Sequence, residues 1–93
     1  MPTIEAAQEL TIDAVPGETY AITYGWHYEL DIFNNSDGDI QVNTDNDFTN
    51  GKYLTIPSES GYNGFCKTGE ASSTVYIKSL GSGTISIALH RNR

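Results

Sequence analysis

Not one lysine or arginine occurs in the first 51 residues of this 93-residue chain. Ten carboxylates stand there instead: Glu5, Glu9, Asp13, Glu18, Glu29, Asp31, Asp37, Asp39, Asp45 and Asp47. Beyond them the balance reverses, with Lys52, Lys67, Lys78, Arg91 and Arg93 against Glu59 and Glu70, and the net charge is −7. A domain this acidic repels phosphate backbones, so nucleic acid is not an expected partner. The asymmetry reads first as a solvated surface, and more sharply as complementarity between neighbouring copies. Cysteine is equally scarce. Cys66 alone closes no internal disulfide, and with only His27 and His90 beside it the chain has no zinc-ligand spacing. Met1 to Leu10 has neither a basic start nor an apolar run, and no stretch approaches the length of a membrane span. These absences predict a soluble chain made in the cytoplasm, with no membrane partner.

A helical period is missing throughout, while period-2 alternation recurs. Leu10, Ile12 and Ala14 alternate with Glu9, Thr11 and Asp13. Thr19 to Tyr24 sets Tyr20, Ile22 and Tyr24 on one side, and His27 to Phe33 turns Tyr28, Leu30 and Ile32 inward against His27, Glu29 and Asp31. Further strands are expected around Ile40 and Val42, over Lys52 to Ile56, over Ser73 to Lys78 and over Thr84 to Leu89. Turns separate them at Val15-Pro16-Gly17-Glu18, at Asn34 to Gly38, at Asn50-Gly51 and at Gly81-Ser82-Gly83. Ser58 to Gly64 reads as loop. About eight short strands at such spacing predict an all-β fold, a single antiparallel β-sandwich of jelly-roll-like or Ig-like form. Residues 1–8 lack the strand period and read as a flexible arm, 9–90 as the sandwich, and 91–93 as a basic tail.

Chemistry-bearing clusters are sparse. Asp37-Gly38-Asp39 and Asn43 to Asp47 place oxygen ligands at alternate positions, which makes Asp37, Asp39, Asp45 and Asp47 weak calcium candidates. The EF-hand order fails, however. With Asn43 as position 1, position 6 is Phe48 rather than Gly and position 12 is Leu54 rather than Glu. Solvated turns explain the cluster better, and no metal or other cofactor is expected. Gly81-Ser82-Gly83 lies between two strands, so a tight hairpin accounts for it better than an exposed nucleophile, and the chain reads as a non-enzyme. Tyr24, Trp26 and Tyr28 fall at alternate positions around Gly25. Tyr28 continues into Leu30 and Ile32 and belongs to the core, whereas Trp26 is assigned to an interface or rim.

The strings YELDIFNNSDGDIQVNTDNDF, YLTIPSESGYNGF and STVYIKSLGSGTISI resemble small virion proteins of tailed bacteriophages, namely capsid decoration (cement) and head-fibre proteins. The resemblance spans roughly residues 18–89. It implies a non-enzymatic, often trimeric structural protein of the virion, docked on the major capsid or other virion proteins. By the same resemblance residues 1–8 are a docking arm, with Pro2, Thr3 and Ile4 as partner contacts. The alternative reading is a carbohydrate- or calcium-dependent ligand-binding sandwich that uses Trp26 and neighbouring tyrosines.

Overall fold

The computed structural model describes residues 1–6, 9–25, 28–44, 48–49, 51, 53–66 and 72–91. Nine strands form: β1 (Thr3–Glu5), β2 (Leu10–Ala14), β3 (Thr19–Gly25), β4 (Tyr28–Asn34), β5 (Ile40–Asn43), β6 (Leu54–Ile56), β7 (Ser60–Cys66), β8 (Ser72–Ser79) and β9 (Gly83–Arg91). They divide into a five-stranded sheet of order β1-β3-β8-β5-β6 and a four-stranded sheet of order β2-β9-β4-β7. Every connection except β5–β6 changes sheet, and all pairings but β1–β3 are antiparallel. This is a β-sandwich, and of the two forms expected its winding is that of the jelly roll.

Alternation decides what lies between the sheets. Ile22 and Tyr24 of β3, Leu30 and Ile32 of β4, Val75 and Ile77 of β8, and Ile85 and Ile87 of β9 are all buried. Ile12, Ala14, Tyr20, Ile40, Val42 and Ile56 complete one cluster. Branched side chains suit such a pleated, two-sided core because their χ1 is already restricted in strands. Tyr20 is buried with its hydroxyl satisfied. It donates to the Asp13 carbonyl at 2.7 Å and accepts from the Val15 amide at 3.3 Å, tying the β2–β3 turn to the core. Within that turn Glu18 N–H donates to the Val15 carbonyl and Gly17 takes φ 82°, the type II geometry that favours glycine.

Three expectations are corrected. Residues 1–8 are not a free arm over the part described, because Thr3–Glu5 pairs parallel with Ala21, Ile22 and Thr23 of β3. Ile4 packs partly buried against the core, so one aliphatic side chain and an available sheet edge replace the missing strand period. Ser58 to Gly64 is not loop throughout: β7 runs from Ser60 to Cys66, with an irregular register where it passes from Leu30 to Ile32 of β4. Gly61, Asn63 and Gly64 hide this strand from propensity, while the β4 edge supplies its pairing. Arg91 belongs to β9, opposite Tyr28, and is not tail. Ala7, Gln8, Asn92 and Arg93 lie outside the described residues, as does Asn50 of the expected Asn-Gly turn, where Gly51 takes φ 74°.

Candidate binding surface

The two sheets share a core but present unlike outer faces. On the four-stranded sheet the outward positions are Thr11 and Asp13 of β2, Thr84, Ser86 and Ala88 of β9, Glu29, Asp31 and Phe33 of β4, and Gly61 of β7. Among the described residues, that face carries carboxylates and no lysine or arginine. On the five-stranded sheet the outward side holds Thr19, Thr23, Gln41, Asn43, Thr55, Thr74, Tyr76 and Lys78, with Glu5 at its margin.

One ladder row across the acidic face reads Thr11, Ser86, Phe33, Gly61 in strand order. A Cβ added at Gly61 would sit 3.0 Å from Cδ2 of Phe33 and 3.1 Å from the Ile32 carbonyl oxygen. Gly61 therefore lets the Phe33 ring lie across β7, the cross-strand device by which an aromatic covers an edge glycine. Phe33 nevertheless remains 43% exposed. Beside its ring the small side chains of Ser86 and Ala88 leave a trough of about 330 Å³, lined also by Glu9, Thr11 and Asp31. That lies at the small end of ligand sites. Ser86 Oγ accepts from Asn35 Nδ2 at 2.8 Å, which orients the hydroxyl at the trough's margin. An aromatic wall, one oriented hydroxyl and carboxylates can stack on and hydrogen-bond a polyol ring, or receive an apolar stem bearing a cationic head.

Sequence reasoning passed over Phe33, although the signal was present: it shares the parity of Glu29 and Asp31, the outward side of β4. Trp26 and His27 lie outside the described residues, so the aromatic row around Gly25 is not part of the surface described. Pro2, Thr3 and Ile4 come together on the β3 edge, where the Pro2 carbonyl accepts from Ala21 N–H at 2.8 Å.

Of the calcium candidates, Asp37 has its carboxylate engaged within the fold. Asp37 Oδ1 accepts from Ser82 N–H at 2.7 Å, and Asp37 N–H donates to the Ser82 carbonyl at 2.9 Å. The Asp39 carbonyl accepts from Leu80 N–H at 3.0 Å. The β4–β5 loop is thereby buttoned to the β8–β9 turn. At the base of the loop Asn34, fully buried, donates both amide hydrogens, to Gly38 O at 2.8 Å and Ile56 O at 3.0 Å, and its Oδ1 accepts from Ser36 N–H at 2.9 Å. Asp45 and Asp47 lie outside the described residues. Among the described residues no three or more Asp, Glu, His or Cys side chains are grouped to hold a metal ion.

No family model and no curated protein matches the chain. Among solved structures it is similar to a de novo designed double-stranded β-helix determined by solution NMR. The TM-score is 0.64 at 14% identity, covering 92% of this chain and 100% of that one. At so low an identity the likeness concerns the fold alone, and it agrees with the all-β sandwich described above.

Proposed function

We propose that the chain is a non-enzymatic structural protein of a phage particle, a capsid decoration protein that docks on the assembled shell. The observation that carries this reading is the contrast between the outer faces of a small jelly roll. A shell-bound module needs one face for the particle and one for solvent. Here one face gathers Asp13, Glu29 and Asp31 and the other presents uncharged threonine, glutamine and tyrosine with Lys78. Jelly rolls are a recurrent architecture of capsid domains, and net negative charge keeps such a module soluble before assembly. Its partners in this reading are the major capsid protein and further copies of itself, arranged as a trimer. Purified native particles should contain the chain in stoichiometric copies, and recombinant protein should bind particles that lack it. Absence from the particles would remove the reading.

The trough beside Phe33 favours a second function, carbohydrate binding, with stacking moved from Trp26 to Phe33. Glycan-array binding that is lost in Phe33→Ala while the thermal midpoint holds would support it. An array without signal would dismiss it.

A further inference from the structure

The strands at the sheet edges are guarded unequally. On the four-stranded sheet, β2 carries Asp13 and β7 carries an irregular register and Gly61; on the other sheet β6 is three residues long and stops at Pro57. Charge, bulges, brevity and proline are the usual means by which an edge avoids pairing with a neighbour. β3 has none of them. Its seven residues, Thr19–Gly25, read TYAITYG: no charge, no proline, and four aromatic or branched side chains besides Ala21 and Thr19. A window of that kind pairs readily with another copy of itself when its edge is open. Only β1 closes it, over three of the seven positions.

β1 itself has the marks of a guard. Pro2 precedes it, Glu5 ends it, and it is three residues long. Its hold consists of a few backbone bonds, among them Ala21 N–H to Pro2 O and Ala6 N–H to Thr23 O at 2.8 Å each, a long bond of 3.4 Å from Thr23 Oγ1 to Ile4 O, and the half-buried Ile4. Thr3 and Glu5 are exposed. So little buried surface leaves the strand easy to displace, because its ordering entropy is offset by few contacts.

We propose that β1 is a displaceable guard and that the β3 edge beneath it is a self-association surface, which takes the β3 edge of a second copy in antiparallel register. Ala21 and Thr23 turn backbone groups to that edge, as their bonds to residues 2–6 demonstrate. Two copies related by a two-fold axis would then share one continuous sheet, with the hydrogen bonds to β1 replaced by bonds between copies. The inference goes beyond the particle reading and stands without it.

Deleting residues 2–6 tests it by sedimentation over a concentration series. Self-association should tighten at least 10-fold relative to the full chain, with the far-ultraviolet β signature retained. Thr23→Lys in the truncated chain should return it to the behaviour of the full chain, since a lysine on an edge strand opposes pairing. A synthetic peptide of residues 1–6 should do the same in trans. Truncated protein that sediments as the full chain does would overturn the proposal. So would association that neither Thr23→Lys nor the peptide reverses, because that outcome marks unfolding rather than edge pairing.

Discussion

The β4–β5 loop and the trough on the acidic face adjoin at the C-terminal end of β4, and they invert what their sequences suggest. Asn34 to Asp39 is rich in oxygen ligands, yet its side chains bind the chain to itself: Asn34 to Gly38 and Ile56, Asp37 to Ser82. Thr11, Ser86, Phe33 and Gly61 look like ordinary strand residues, yet they form the surface open to something else. Polar atoms near a sandwich end are consumed in closing it, because backbone groups that leave a sheet must find partners. The outward side of a strand has its backbone satisfied by the ladder, so its side chains are available for recognition.

Four substitutions sharpen or break this contrast. Asn34→Ala should be the most damaging, at about 2–4 kcal/mol by chemical denaturation, because at a fully buried site it takes away the side-chain partners of the Ile56 carbonyl and the Ser36 amide and one of two bonds to the Gly38 carbonyl. In a domain of this size that lowers the melting midpoint by about 4–8 °C per kcal/mol. Gly81→Ala ranks next, at about 2 kcal/mol, since its Cβ would run into the Gly38 backbone nitrogen and the Asp37 carboxylate. The thermal midpoint reads this directly, and a neutral result would show that the two turns are not buttoned together.

Asp37→Ala should cost about 1 kcal/mol, the worth of one exposed hydrogen bond that fixes a turn. A calcium-dependent rise in the native midpoint that disappears in this variant would make the loop an ion site after all. Phe33→Ala should be the mildest, about 0.5 kcal/mol, as an exposed cross-strand pair with glycine contributes little. Should Phe33→Ala prove more destabilising than Asp37→Ala, the ring belongs to the scaffold and the trough loses its claim to recognition.

Most strands were legible because each buries one face, and the alternation of Ile12, Ile22, Leu30, Ile32, Val75, Ile77, Ile85 and Ile87 can be read one residue at a time. β1 and β7 were not, for a shared reason. Each is defined by a neighbour's open edge rather than by its own composition: β1 offers only Ile4 to the core, and β7 interrupts its pattern with two glycines and a register shift. The surface was half legible. Parity alone puts Phe33 outside, but that Gly61 lies opposite it depends on pairing residues 28 apart in sequence, which periodicity does not encode. The turn around Asp37 was legible from its composition, but its hydrogen bond to Ser82 joins residues far apart in sequence, which composition does not encode.

The order of strands within the sheets also bears on how the chain is made. β8 lies between β3 and β5, and β9 between β2 and β4, so of the nine strands described the two latest in chain order occupy the interiors of both sheets. As the chain leaves the ribosome, β2, β3, β4 and β5 emerge before the partners that join them exist. Of the sequential neighbours only β5 and β6 form a hairpin. Pairings such as Leu10 with Ile87 close loops nearly as long as the whole chain, a topology that folds slowly because the entropy of closure precedes the reward of contact. Nascent chains stopped before residue 72 therefore hold only the separate pairs β1–β3, β4–β7 and β5–β6, with no β8 or β9 to join them, and should be strong chaperone clients, whereas twenty further residues complete both sheets in a single late step.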